Sequence, residues 1–491
     1  METHKQRSSQ LRVVHDRNPI TIPSLLRNSV FEPEILWYVQ SLDIWDVRDM
    51  FEEWKSPRLW WNWDSSIHEF LDWPEKHQDY SHLDITFYAD EELERCRSML
   101  SKLLRFKQPL VDKWMERLRS GSDEPLKVLL MAMSSRLKKA TIVCWDADYP
   151  NERSRPFRML ASMLRALAPL PSPQWPYFQS LRMVFVGFYV PSTPVDNSIH
   201  PSRVVAPLFL LPAIESLHLN SLKQEQDDPE SDLKNDENGG EGPVGAKPYV
   251  WEWETGRSSC QELTFEDGAL AIETIASFIG ATHSLRSFGG VSDENEIISA
   301  LLEHSKNTLE TVDFGLRYHM PLPARSLRDF QKLTDITLPA RQLVRKFDKL
   351  LGSSSIEWVD LLNFLPPTLQ KLRIWSGVEL SSPGNNYELV LYSEGFIHQL
   401  VALVNAKLSP AHNAFASLRE LCLENTRDRY RGPKTDWDEP WLEHLKLANS
   451  NNVNAWPAMA RQYFDDIIVV GAVDNNGEEA SISQGRRLMD V

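Results

Sequence analysis

The chain has 491 residues, 42% of them hydrophobic and 25% charged, values ordinary for a globular chain able to bury a large core. Acidic residues outnumber basic ones, 69 to 53, for a formal net charge of −16. A surface that neutralises phosphates needs clustered Lys and Arg, so neither nucleic acid nor an anionic membrane is an expected partner.

Residues 1–17 read as a polar tail without the apolar stretch of a secretion signal. From about residue 18 to 465 a short pattern recurs, apolar-x-x-apolar-x-apolar. The first strand is expected in the run Tyr38-Val39-Gln40-Ser41-Leu42-Asp43-Ile44. A tryptophan cluster follows, with Trp45, Trp54, Trp60, Trp61, Trp63 and Trp73 providing six of the 17 within 29 residues. It fits a cap over the apolar N-terminal end of a repeat array better than an exposed platform for a partner.

Further copies of the pattern are RLKKATI from Arg136, SLRMVFV from Ser180 and AIESLHL from Ala213. The longest apolar run, Val204 to Ile214, has 11 residues and two prolines, against the roughly 20 that a membrane-spanning helix needs. Next comes Lys223 to Lys247, eight acidic residues against three lysines, with almost no apolar surface to offset ordering entropy. It is expected to be a disordered insertion.

The pattern resumes as SCQELTF from Ser259 and becomes regular in SLRSFGG, TLETVDF and KLTDITL, whose first leucines Leu285, Leu309 and Leu333 are 24 residues apart. That spacing lies within the roughly 20–29 residues of a leucine-rich repeat. Helices are expected over Ala269–Ile279, Glu294–His304 and Glu394–Val404, each with an apolar stripe. Two more copies are TLQKLRI from Thr368 and SLRELCL from Ser417. Residues 466–491 read as a second tail. The fold class expected is α/β, an irregular solenoid of parallel strands alternating with helices.

Catalytic signatures do not hold together. Asp313-Phe314-Gly315 lacks the other kinase motifs, and His68-Glu69 has Asp72 where a zinc protease needs its second histidine. Neither a GxSxG elbow nor a GxxxxGK[ST] phosphate loop occurs. The four cysteines Cys96, Cys144, Cys260 and Cys422 lack metal or disulfide spacing. No Asn-x-Ser/Thr acceptor is present, which favours a cytoplasmic or nuclear location. Neither catalysis nor a cofactor or metal is expected.

The segment Asn18–Ile44, with Leu25, Leu26, Tyr38, Val39, Leu42 and Ile44, resembles the opening of the repeat region in filamentous-fungal F-box and leucine-rich-repeat-like proteins. The runs Phe364–Leu372 and Phe415–Leu421 are similar to later repeats of that family. The resemblance implies a substrate-recognition protein of a ubiquitin ligase. The F-box itself has no counterpart in this chain, so a Skp1-type adaptor is an expected partner only if an F-box lies upstream. A scaffold unconnected to ubiquitin is the alternative, and an enzyme of unknown class a further one.

The strand residues between core positions should align into an open face. From Leu285 onward that face should read Ser287, Gly289, Val291; Thr311, Asp313, Gly315; Asp335, Thr337, Pro339; Lys371, Arg373, Trp375; Glu420, Cys422, Glu424. Lys371, Arg373 and Trp375 stand out, because Arg and Trp are enriched among residues that dominate interface energies. They either anchor a protein partner, or the two cations pair with Glu420 and Glu424. Trp60, Trp61 and Trp63 form the next candidate surface.

Overall fold

The computed structural model describes residues 11–16, 18–44, 47–48, 54, 90–102, 108–142, 158–167, 177–187, 200–223, 255–291, 295–315, 326–347, 356–375, 394–408, 415–424 and 468–470. The chain divides into two units, 1–188 with 197–249, and 189–196 with 250–491. Trp60, Trp61 and Trp63 lie outside the described residues, as does the acidic stretch beyond Lys223.

The first unit runs β1 (Val13–His15), α1 (Thr21–Ser29), β2 (Ser41–Ile44), α2 (Asp90–Lys102), α3 (Gln108–Ser120), α4 (Glu124–Met133), β3 (Lys139–Ile142), α5 (Arg158–Leu167), β4 (Met183–Val186), β5 (His200–Pro201), α6 (Ser202–Val205) and β6 (Ser216–Lys223). Its strands pair in parallel in the order β1-β2-β3-β4-β6, with β5 beside the end of β6. Parallel neighbours need a crossover, and helices lie between most successive strands to supply one.

The second unit runs β7 (Glu262–Ala269), α7 (Ile272–Ala281), β8 (Ser287–Val291), α8 (Asn295–Ser305), β9 (Thr311–Gly315), β10 (Asp335–Pro339), β11 (Val344–Phe347), β12 (Ile356–Trp358), α9 (Leu361–Phe364), β13 (Lys371–Trp375), α10 (Glu394–Leu408), β14 (Glu420–Glu424) and β15 (Ile468–Val470). Its parallel order is β7-β8-β9-β10-β13-β14-β15, and β11 and β12 form a separate antiparallel pair.

The recurring pattern explains the parallel strands of both units. The first apolar residue of each copy turns inward just before its strand, and Leu181, Leu285, Leu309, Leu333 and Leu369 are fully buried. The next two apolar positions are alternate strand residues, such as Val312 with Phe314 and Ile336 with Leu338, and they face the same core. Burying each such side chain stabilises the fold by about 1.5–3 kcal/mol. The helices supply the other wall: α7 buries Ile275, Phe278 and Ile279, and packs on α8, which buries Ile297, Ile298 and Leu301.

Most of the parallel strands are entered by the same backbone device. In the second unit the carbonyl of Arg286 accepts from the N–H groups of Glu310 and Thr311 at 2.7 and 2.9 Å, and that of Glu310 accepts from Thr334 and Asp335 at 2.9 and 3.1 Å. Thr334 and Gln370 continue the series. In the first unit Arg12, Gln40, Lys138 and Arg182 each do the same for the next strand. This recurrence fixes the register, so equivalent residues of successive strands stand side by side.

Glycine is required where inner side chains crowd the backbone. Gly290 has φ +154°, and a Cβ there would lie 3.3 Å from both the Cβ and the carbonyl oxygen of Phe265. Its openness lets Phe265, Phe288 and Phe314 follow one another with ring centroids 6.1 and 6.3 Å apart.

Several boundaries differ from the expectations. The first strand is Val13–His15, inside the stretch read as a tail, because the Val13-Val14 pair finds β2 as a partner despite its polar flanks. Lys223 ends β6 and is not part of the insertion, and Ile468–Val470 forms β15 within the stretch read as the second tail. The helix expected from Ala269 begins at Ile272, since β7 continues to Ala269. The long interval between Leu333 and Leu369 holds the β11-β12 pair and α9.

Candidate binding surface

The strands alternate buried and accessible residues, and the accessible ones form two registered rows on the side away from the core. In the first unit one row is Ser41, Lys139, Met183 and Ser216, and the other is Asp43, Thr141, Phe185 and His218. Phe185 and His218 are directly opposite across the strand pair. Their rings stack at 4.5 Å with an interplanar angle of 18°. Met183 beside them is 42% exposed, large for an apolar side chain.

In the second unit the same register positions hold Glu262, Ser287, Thr311, Asp335, Lys371, Glu420 and Thr264, Gly289, Asp313, Thr337, Arg373, Cys422, all accessible except Gly289 and Cys422. The structure therefore brings Lys371, Arg373 and Glu420 together on adjacent strands. Arg373 Nη2 donates to Glu420 Oε1 at 3.1 Å. Lys371 Nζ lies 3.5 Å from Asp335 Oδ1, on the strand before its own. Of the expected pairing of the two cations with Glu420 and Glu424, Arg373 meets Glu420, reaching it diagonally across the register, and Lys371 turns to Asp335. Both cations remain roughly half exposed, 48% and 42%, so each pair contributes at most about 1 kcal/mol.

Trp375 stands opposite Pro339 and Glu424 in the strand register; the side chains of Trp375 and Glu424 lie outside the described residues. Gly289, Pro339 and Cys422, expected on the open face, are buried. At Gly289 the Thr264 side chain closes over the backbone, and a Cβ there would meet its Cγ2 at 3.1 Å.

Of the tryptophan cluster, Trp54 is 1% exposed and its Nε1 donates to the Gly121 carbonyl at 2.8 Å, which fits a packing role for that member.

One ionisable cluster escaped the sequence analysis. Asp123 opens α4, and its Oδ2 lies 2.9 Å from both Arg48 Nη1 and Lys127 Nζ. Lys127 Nζ also lies 2.7 Å from Asp16 Oδ2, and the Arg48 backbone N–H donates to Asp123 Oδ1 at 2.9 Å. Next along α4, Glu124 Oε1 accepts from the Met159 N–H at 2.7 Å. Arg48, Asp16, Asp123 and Lys127 are all at least 96% buried. Two cations against two carboxylates, closed to solvent, tie the segments after β1 and β2 to the start of α4. That is a structural clamp with no access for a substrate.

Among the described residues no group of three or more His, Cys, Asp or Glu is placed to hold a metal ion, and no helix is long and apolar enough to cross a membrane. Cys96, Cys260 and Cys422 are in no disulfide. Comparison with protein-family models and with curated proteins finds no match to the chain.

Proposed function

We propose that the chain is a non-catalytic protein-binding module of the leucine-rich-repeat type, its strands and helices forming a solenoid. Substrate recognition in an F-box-related ubiquitin ligase system is the assignment we favour. The observation that carries the binding reading is the pair of registered rows on the open strand face. Stacking places small and acidic side chains beside two isolated features, the Met183–Phe185–His218 patch and the Lys371–Arg373 pair. Aromatic, Met and Arg side chains on an otherwise plain surface are the chemistry of interface anchors. The residue patterns of Asn18–Ile44, Phe364–Leu372 and Phe415–Leu421 support the F-box-related assignment. A Skp1-type adaptor belongs to it only where an F-box precedes the chain.

The test is affinity capture with the tagged full-length chain, read by quantitative mass spectrometry. Replacing Arg373 and Trp375 together by Ala should lower recovery of the specific partner more than tenfold, about 1.4 kcal/mol. The partner should be, or become, ubiquitinated in cells. Unchanged recovery by a folded double variant would move the binding surface elsewhere, and a partner with no link to ubiquitin would turn the reading to a scaffold.

A further inference from the structure

The strand face of the first unit carries a charge pattern of its own. The residue that enters each strand adds a row beside the two already described: Arg12, Gln40, Lys138, Arg182 and Glu215, each one position before a register-matched strand residue. Neighbouring strands stand about 4.8 Å apart, which puts Lys138 next to Arg182 and roughly 10 Å from Arg12. Lys139 follows Lys138 and begins β3. All four cations are exposed. Arg182 pairs with Glu215 at the far end of the row. Arg12, Lys138 and Lys139 pair with no carboxylate among the described residues. The other acidic residue of these rows, Asp43, lies farther along β2. The second unit differs, because its face cations Lys371 and Arg373 are met by Asp335 and Glu420. In a chain of net charge −16, three unpaired cations on one face are a local reversal of sign. Apolar surface adjoins them: Met183, directly across from Lys139, is 42% exposed, and the Phe185–His218 stack lies beyond it.

These neighbours set the chemistry of an occupant. Free ammonium and guanidinium groups select anions, and an exposed Met beside a stacked ring selects an apolar side chain. A nucleic-acid strand needs a longer basic track than one interrupted by Gln40 and ended by Glu215, and the acidic remainder of the chain repels a polyanion. An acidic peptide segment with one apolar residue meets both demands, and clusters of cations reading acidic motifs are a recurrent mode of peptide recognition.

We propose that the strand face of the first unit binds an acidic segment of a partner polypeptide. Its Asp or Glu side chains meet Arg12, Lys138 and Lys139, and its apolar residue lies on Met183 and Phe185. This rests on the strand-face reading above and names the chemistry of the partner.

The experiment pans a phage-displayed library of random 12-residue peptides on the full chain, then measures the enriched peptides synthetically by fluorescence anisotropy. Enriched peptides should carry several Asp or Glu around one large apolar residue. Lys138→Glu with Lys139→Glu should weaken them at least tenfold with the urea midpoint unchanged. Lys306→Glu with Lys332→Glu makes the same change of charge in the second unit and should leave binding within twofold. Enrichment without acidic residues, unchanged binding by the first variant, or equal losses in both variants would overturn the proposal. Tighter binding of a 12-residue oligouridine than of any peptide would overturn it in favour of nucleic acid. Peptide binding seen only after deletion of residues 224–247 would overturn it in favour of the chain's own acidic stretch. Capture of a cellular partner that depends on Arg373 and Trp375, with no acidic peptide enriched, would overturn this inference alone and leave the binding reading standing.

Discussion

Lys127 carries the clearest energetic consequence of a single side chain. Its ammonium group is 1% exposed between two carboxylates. Lys127→Met takes one of the described cations from the buried Asp16 and Asp123, and breaking a buried pair in this way costs about 3–5 kcal/mol. Urea unfolding should show that loss, and removing Asp16 as well should restore part of it. Gly187 gives a second prediction at this scale. It has φ +108°, and a Cβ would fall 2.5 Å from the Asn220 carbonyl oxygen. Gly187→Ala should destabilise the chain by roughly 1–3 kcal/mol in the same measurement, the range for a residue forced into a disfavoured backbone region. Neither position was legible in the sequence. Arg48 and Asp123 are 75 residues apart, and Asp123 with Lys127 alone reads as an ordinary solvated helical pair.

The elements were legible where one residue pattern dictates one geometry. Leu309, Val312 and Phe314 have a spacing that only a turn into a short strand can bury, and β9 forms there; the same holds for Ile336 with Leu338 and Leu372 with Ile374. The helices α2, α3 and α4 were less so, because Asp90–Met133 lies between repeats and its apolar residues serve helix packing rather than a strand. The Met183–Phe185–His218 patch had a signal that went unused. Alternation in SLRMVFV and AIESLHL puts these three residues outward, by the same logic that places Lys371 and Arg373. Beyond β6, residues 224–247 are nearly devoid of apolar side chains. Deleting them should leave the thermal midpoint within about 1 °C, because little burial is lost. A fall of several degrees would show that the segment packs on the fold.

For the whole molecule, recognition is assigned to the accessible strand faces. The strand face presents side chains held by a regular register, so partner affinity should respond to substitutions there without loss of stability. Phe185→Ala should cut partner recovery severalfold with only a small fall in the urea midpoint, since the ring lies on the strand face, stacked on His218 outside the core. The α/β architecture followed from the repeat pattern. The partner did not, because accessible positions are free to vary without disturbing the fold and carry no periodic constraint.

The most direct measurement is site-specific photo-crosslinking in cells, with a benzophenone amino acid placed at Thr311 or Thr337 on the strand face of the second unit, or at Glu273 or Glu303 on the exposed sides of α7 and α8. Binding through the strand face predicts one common partner polypeptide cross-linked from both strand positions and from neither helix position. Cross-links to that partner from the helix positions alone, or none from any strand position, would contradict the account.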